Sequence, residues 1–220
     1  MRLIEGFNDI LFHDDDICYF CGIRVEDKSF LCPDCKFKLE YMNRRLNINS
    51  PYIEEVIFSL FYNEFIRQKL YQYKYNGKGQ YYKPFGEILI NTINATIHLE
   101  DIDIITYVPI HKRKKALRGY DQSELLAKYI GATLNIPFST GNLIRTKWTR
   151  IQNKMDKYQR IKSLRGAFEI KEPLEFKDKE ILLIDDIITT GGTLNECGKK
   201  LKEVKAGKIH ALTITSGLKI

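Results

Sequence analysis

The spacing of hydrophobic residues changes twice along the chain and predicts three regions. Residues 1–45 show little periodic pattern. Over residues 53–99, apolar and aromatic side chains recur at helical spacing, and a turn at residues 76–79 interrupts them. From residue 102 onward, short apolar runs alternate with helical segments. We therefore predict a small module over residues 1–45, a helical region over 46–100 and a core over 101–220.

The third region has the alternation that is typical of βαβ units. Strands are predicted over residues 102–108, 167–170, 180–184 and 209–215, and helices over 123–134 and 193–204. This order favours the α/β class, with a mainly parallel, twisted sheet that carries helices on both faces. Ligands of such sheets bind at the carboxyl ends of the strands, so a site is expected there.

Residues 180–193 place two carboxylates and a small, hydroxyl-rich loop at one of these strand ends. Asp185 and Asp186 end an apolar run, and the loop after them leads into a helix. Because glycine accepts positive φ and lets backbone N–H groups approach a ligand, the loop and the positive helix end favour one phosphate group. The acidic pair is placed to accept hydrogen bonds from neighbouring hydroxyls of a sugar on that phosphate. The loop residues are Thr189, Thr190, Gly191, Gly192 and Thr193.

Two other nucleotide-binding classes also combine an apolar strand with acidic residues or glycines. Nucleotide hydrolases need an upstream Gly-x-x-x-x-Gly-Lys-Ser/Thr loop, and dinucleotide-binding folds need Gly-x-Gly-x-x-Gly after the first strand. Neither motif occurs in this sequence, which excludes both classes. The alternative that remains is a strand-turn-helix whose Asp pair is accidental.

Positive charge is concentrated in two segments. The chain has 35 basic and 28 acidic residues, which gives a net charge of +7. Residues 145–165 contain eight cations against Asp156 alone, and residues 112–118 contain five cations and no anion. Such clusters indicate an anionic ligand, either phosphate groups or nucleic acid, and a solvated charged face is the simpler alternative. Since the sequence shows neither a signal peptide nor the roughly 20 apolar residues of a membrane span, we expect a cytoplasmic protein.

Four of the five cysteines form two closely spaced pairs near the N-terminus. Cys18 and Cys21 make the first Cys-x-x-Cys pair, and Cys32 and Cys35 make the second, with ten residues between the pairs. Four thiolates satisfy tetrahedral Zn²⁺, and disulfides are disfavoured in a reducing cytosol, so we predict a zinc module. Cys197 lies on the apolar stripe of a predicted helix and is expected to be a core residue.

The motifs together resemble a known family. Residues 182–193 resemble the phosphoribosyl pyrophosphate (PRPP) signature of type I phosphoribosyltransferases. Residues 107–122 resemble the Val-Pro…Arg-Gly-Phe-Asn-Gln segment of the ComF group within that superfamily. Residues 145–168 occupy the place of the family's mobile catalytic loop, and residues 74–77 and 85–86 fit its hood, the part that covers the site. The resemblance spans nearly the full chain.

The resemblance implies a type I phosphoribosyltransferase fold and a role for each motif. Asp185 and Asp186 would take the ribose hydroxyls, and residues 189–193 would hold the 5′-phosphate. The implied pyrophosphate loop contains Pro109, His111 and Lys112. For His111, a role at the entry of a helix is as well suited as a pyrophosphate contact. The implied catalytic residues are Arg113, Arg118, Gln152 and Arg160.

Three positions depart from the family's pattern. Tyr120 and Asp121 stand where the group has Phe and Asn, and Ser163 stands where Asn is expected. Asp121 also fits an N-cap, with Glu124 as its capping-box partner, so a structural role is open for it.

The same resemblance implies a function, cofactors and partners. It indicates a PRPP-binding protein that acts in DNA uptake during natural transformation, with Mg²⁺ bound beside PRPP and structural Zn²⁺ on the four cysteines. The implied partners are single-stranded DNA and other competence proteins at the inner face of the membrane. The cations and Trp148 of residues 145–165 suit either such a strand or a lid over PRPP.

Catalysis is one of the points that the sequence leaves open. If the chain is an enzyme, it transfers a phosphoribosyl group to an unnamed acceptor and displaces pyrophosphate from C1 of the ribose. The first alternative is a nucleobase phosphoribosyltransferase of salvage or biosynthesis. The second is a non-catalytic module that binds single-stranded DNA under regulation by PRPP.

Overall fold

The computed structural model describes residues 16–26, 29–148 and 163–218. Within these ranges, none of the helices is both long and apolar enough to cross a membrane. The helices are α1 (Pro33–Phe37), α2 (Glu64–Tyr75), α3 (Tyr82–Thr96), α4 (Lys112–Arg118), α5 (Gln122–Leu134) and α6 (Gly192–Glu203). The strands are β1 (Tyr41–Leu46), β2 (Glu55–Leu60), β3 (Ile104–Tyr107), β4 (Leu143–Arg145), β5 (Phe168–Ile170), β6 (Ile181–Ile188) and β7 (Ile209–Ser216).

Five strands form one sheet in the order β1-β2-β7-β6-β3. Strands β2, β7, β6 and β3 run parallel, and β1 pairs antiparallel with β2 at the edge. The prediction of a mainly parallel sheet is therefore confirmed. Strands β4 and β5 form a separate antiparallel pair, so the strand predicted over residues 167–170 exists but lies outside the main sheet.

Apolar side chains pack on both faces of the sheet. Because successive residues of a strand point to opposite faces, β6 sends Leu182 and Ile184 to one side and Leu183 to the other. The first side packs against α2, α3 and α5, and the second against α6 and the β4–β5 pair. Helices on both faces match the predicted class and leave the carboxyl ends of β3 and β6 as the accessible edge.

The helical interpretation of residues 56–61 is wrong. These residues belong largely to β2, which pairs in parallel with β7, and every residue from Val56 to Leu60 is buried. A short, continuous apolar run has the same periodicity in a buried strand and in a buried helix, so the pattern alone did not separate them. Helices are present over α2 and α3 as predicted. The division of the chain at residues 45 and 100 stays a prediction, although β1 crosses the first boundary.

The cysteine-containing segment packs on the helices that precede the core. The ring of Phe20 lies 5.9 Å from Phe65, 5.0 Å from Tyr81 and 5.3 Å from Phe85, measured between ring centroids. The amine of Lys69 donates a 2.6 Å hydrogen bond to the Phe20 carbonyl. Aromatic contacts of this kind add about 0.5–1.5 kcal/mol each beyond the area they bury, so Phe20 anchors the segment on α2 and α3.

Candidate functional site

The acidic pair lies at the carboxyl end of β6 and is held by three elements. The hydroxyl of Ser123, in the first turn of α5, donates a 3.0 Å hydrogen bond to Oδ1 of Asp185. The backbone N–H of Asp186 donates to the same oxygen at 2.9 Å. The amine of Lys74, at the end of α2, lies 2.8 Å from Oδ1 of Asp186. The carboxylates are thus fixed before any ligand binds.

The electrostatics of Asp185 favour a partner that donates hydrogen bonds. Burial and the neighbouring charge of Asp186 raise the pKa of Asp185 to about 7, although Lys74 and the hydroxyl of Ser123 act in the opposite direction. A group that is ionised only in part at neutral pH gains free energy when a ligand stabilises its charge. Hydroxyl donors, as on a sugar, supply that stabilisation.

The loop after β6 forms an open helix N-terminus. Gly191 has φ of +73° and is the N-cap residue of α6, where it offers no capping side chain. Its backbone lies close to Ile48, whose Cβ would be 3.3 Å from a Cβ at this position. Strain at positive φ and this close approach both favour glycine here. Apart from the N–H of Gly192, which donates a 3.4 Å hydrogen bond to Oγ1 of Thr190, the first N–H groups of the 12-residue helix α6 are suited to an anion.

The candidate pyrophosphate loop after β3 is ordered by a buried carboxylate. Oδ2 of Asp121 accepts a 2.8 Å hydrogen bond from the backbone N–H of Ile110. Its other oxygen caps α5 by accepting from Ser123 and Glu124 N–H groups at 3.1 and 3.4 Å. Burial raises the pKa of Asp121 to about 6. The N-cap prediction for this residue is confirmed, whereas the Glu124 carboxylate binds Lys115 and Thr140.

His111 is the N-cap residue of α4. Its Nδ1 accepts a 3.2 Å hydrogen bond from the backbone N–H of Arg113, and the side chain is buried. The ring of Trp148 packs edge-on against it, with centroids 5.2 Å apart. The helix-entry role of His111 is present, and its pyrophosphate contact stays a prediction. Pro109 is buried in the segment between β3 and α4, and Lys112 is exposed on α4.

Three cations that were not among the predicted site residues interact electrostatically with the acidic pair. Lys74 pairs with Asp186 directly. Burial lowers the pKa of Lys114 to about 8, helped by the charges of Arg118, Lys74 and Arg145, while Asp186 raises it. Burial also lowers the pKa of Arg145, and the charge of Asp185 opposes this. The only sequence signal for Lys114 was the five-cation cluster, which does not tell which member points inward.

Two of the four predicted catalytic residues lie within the described part of the chain. Arg118 binds the side chain of Gln122, and its guanidinium lies 5.2 Å from the ring centroid of Tyr75 on α2. Arg113 is exposed on α4. Gln152 and Arg160 lie outside the described residues, as does most of the basic segment 145–165. Arg118 thus lies against α2, and the catalytic roles of all four residues stay predictions.

The four N-terminal thiols come together as one cluster. All four sulfur atoms lie within 4.8 Å of one another, and those of Cys21 and Cys32 are 3.6 Å apart. Tetrahedral Zn²⁺ with Zn–S bonds of about 2.3 Å would hold its sulfurs about 3.8 Å apart. Cys18, Cys32 and Cys35 are buried, whereas Cys21 is exposed. The cluster therefore fits one metal ion.

The backbone around the thiols favours metal binding. Gly22, with φ of +81°, closes a turn in which its N–H donates 2.8 Å to the Cys18 carbonyl. Although burial opposes ionisation of Cys18, backbone N–H donors of Cys32, Cys21 and Phe20 lower its pKa to about 7, whereas burial raises the pKa of Cys21 and that of Cys35. A thiol that ionises near neutral pH is a competent metal ligand.

Comparison with known proteins identifies the relatives of this arrangement. The phosphoribosyl transferase domain family matches residues 145–218, which hold the acidic pair and the glycine loop. Competence protein F of Haemophilus influenzae is 26% identical over 95% of this chain and 94% of its own length. Competence protein ComFC of Bacillus subtilis is 26% identical over 90% of this chain and 77% of its own. The chain is thus similar to these competence proteins over most of its length. DNA utilization protein YhgH of Escherichia coli is a further relative, 23% identical over 84% of this chain and 83% of its own length.

Among solved structures, the glutamine PRPP amidotransferase of B. subtilis aligns with 60% of this chain and 26% of its own, at 19% identity and a TM-score of 0.41. That score is too low for an inference. The type I phosphoribosyltransferase fold of this chain follows from its own sheet, the acidic pair on β6 and the matched domain.

Proposed function

We propose that this chain is a ComF-family protein that binds PRPP with Mg²⁺, transfers its phosphoribosyl group and acts in DNA uptake. The observation that carries the proposal is the meeting of Asp185 and Asp186 with an open helix N-terminus and with Lys74. A sugar phosphate carrying a pyrophosphate presents the complementary groups, namely hydroxyl donors and two anionic ends. The names of the competence and DNA utilization relatives support the process.

Each part of the site has a defined task in this proposal. Asp185 and Asp186 accept hydrogen bonds from the ribose hydroxyls, and the N–H groups at the start of α6 bind the 5′-phosphate. Lys74, Lys114 and Arg118 stabilise the charge that develops on the departing pyrophosphate. A nitrogen nucleophile forms a bond to C1 while the bond from C1 to the pyrophosphate oxygen breaks. Mg²⁺, when bound, neutralises part of the pyrophosphate charge.

The proposal also assigns units and location. Residues 1–45 would be a module with structural Zn²⁺ on its four thiols, residues 46–100 the hood, and residues 101–220 the transferase core. Four thiols held for a metal suit the reducing cytoplasm, where disulfides are rare. There the chain would meet single-stranded DNA and other competence proteins at the inner face of the membrane.

Calorimetry with PRPP and Mg²⁺ tests the proposal. The double change Asp185→Asn with Asp186→Asn should lower PRPP affinity by about 100-fold or more, because hydrogen bonds to charged groups contribute about 1.5–3 kcal/mol each. Asp178→Asn is the matched control, since Asp178 is exposed and has φ of +58°, which Asn tolerates. Unchanged affinity in a folded double variant would end the proposal. Release of pyrophosphate with nucleobases or oligonucleotides then distinguishes transfer from regulatory binding.

Proton uptake provides a second test, centred on Lys114. Because its pKa of about 8 rises when phosphates arrive, PRPP binding at pH 8 should take up protons, and the binding enthalpy should depend on the buffer. Asp185, with a pKa of about 7, is mostly ionised at that pH and contributes little. Lys114→Gln should remove most of the uptake and weaken binding about 10-fold. Lys115→Gln, an exposed neighbour paired with Glu124, should leave both unchanged. Equal uptake in both variants would exclude Lys114 from the site.

A further inference from the structure

Two exposed tyrosines lie side by side on the last turns of α2. Tyr71 is 58% exposed and Tyr75 is 57% exposed, and their ring centroids are 5.0 Å apart. The guanidinium of Arg118 lies 5.2 Å from the centroid of Tyr75. Neither ring contributes to the apolar cores of the described residues. An ordered pair of rings beside a cation, open to solvent, requires a reason other than packing.

Two routes of neighbouring residues connect this tyrosine pair with the candidate ribose site. Lys74, next to Tyr75 in sequence, pairs with Asp186 at 2.8 Å. Arg118 binds Gln122, and the next residue, Ser123, donates to Asp185. Asp186 is therefore connected to the tyrosine pair through Lys74. Asp185 is connected to it through Ser123, Gln122 and Arg118.

The surface next to the tyrosines is positively charged. Helix α4 ends at Arg118 and exposes Lys112, Arg113 and Lys115, of which Lys115 pairs with Glu124. Its Leu117 is 80% exposed, so this helix presents an apolar group among cations. Phosphates supply affinity to such a surface, and aromatic faces supply contacts for unpaired bases.

We infer that Tyr71, Tyr75 and Arg118 form a stacking platform for unpaired bases of a nucleic-acid strand at the mouth of the PRPP site. The inference rests on the proposed function for the identity of that site. The rings take bases by stacking, and the exposed cations of α4 take the strand's phosphates. A duplex keeps its bases paired and stacked, so the platform selects single strands.

The platform differs from the position expected from the sequence. Trp148 of the basic segment packs against His111, and only 37% of its surface is exposed. The tyrosines of α2 leave more than half of their surface open. Bases therefore have larger ring faces available on α2 than on the described part of that segment.

Fluorescence anisotropy with a labelled oligothymidylate of about 20 nucleotides tests the platform, since one such site covers about 4–16 nucleotides. Tyr71→Ala with Tyr75→Ala should lower affinity about 10-fold or more, with little change in the dependence on salt. Tyr75→Phe keeps the ring and should bind like the unaltered chain. Tyr62→Ala is the matched control, because Tyr62 is also exposed, at 37%, but lies just before the start of α2, away from the last turns that carry Tyr71 and Tyr75. A duplex of the same length should bind more weakly.

Three outcomes would overturn the platform. These are no binding of the oligonucleotide at low salt, an unchanged affinity in the double tyrosine variant, and an equal loss in Tyr62→Ala. PRPP calorimetry on the same variants separates this inference from the proposed function. If the double variant binds both PRPP and the strand as tightly as the unaltered chain does, the platform is refuted and the proposed function is not. Absent PRPP binding in the unaltered chain, with tyrosine-dependent strand binding, removes the proposed function and leaves the stacking surface.

Discussion

Replacing Cys18 or Cys35 with Ser is expected to release the metal and to unfold the module up to the start of β1. Structural zinc contributes about 10–16 kcal/mol of apparent binding free energy in small modules, and loss of one buried thiolate removes most of it. The described part of the module contains only one five-residue helix, α1, so besides the metal it is held mainly by its packing against α2 and α3. Metal content by mass spectrometry and amide hydrogen exchange measure the two effects.

The damage should reach the hood but not the sheet. Phe20 packs against Phe65, Tyr81 and Phe85, so its release leaves an apolar gap between α2 and α3. Gaps left by large aromatic side chains cost about 3–5 kcal/mol. Strand β1 is held by its pairing with β2 and should keep its protection. Cys197→Ser, the same change at a buried site away from the cluster, should keep the metal. A metal-free variant with a protected module would contradict the prediction.

Asp185→Asn is expected to stabilise the ligand-free protein at neutral pH while weakening PRPP binding. The gain arises because Asp185 carries a buried charge beside Asp186, which raises its pKa to about 7 from the ordinary value of 3.8. The amide keeps the shape and an acceptor for the hydroxyl of Ser123. Urea unfolding of the ligand-free chain measures the difference.

The pH dependence of this gain has a definite sign. Above pH 7, Asp185 is ionised in the folded and unfolded chains, and the full cost of its buried charge is present. As the pH falls from about 7 toward 3.8, the folded carboxyl is protonated first and the cost disappears. The advantage of Asp185→Asn should thus be largest near pH 8 and close to zero near pH 4. An advantage of equal size at both pH values would rule out the buried charge as its cause, and Asp178→Asn should show none.

The local motifs of this protein were readable from sequence, whereas the contacts between distant elements were not. Asp185, Asp186 and Gly191 occur in one strand-loop-helix, so their spacing alone predicted their arrangement. Lys74 reaches Asp186 only because the fold brings the end of α2 near β6, which no periodicity reveals.

Misassignments had physical causes of the same kind. Residues of β2 are buried on both faces, which erases the alternation that marks a half-buried strand. Glu124 has the capping-box spacing, but its carboxylate forms an ion pair with Lys115 on the preceding helix. In both places a tertiary neighbour decided the outcome.

Helix α2 joins the two chemical centres of the chain. Its 12 residues span about 18 Å. Near the start of the helix, Phe65 packs against Phe20 of the thiol module, and at its end Lys74 forms an ion pair with Asp186. One helix therefore contacts both the thiol module and the acidic pair. We expect a movement of the module against α2 to change the position of the Lys74 amine beside Asp186.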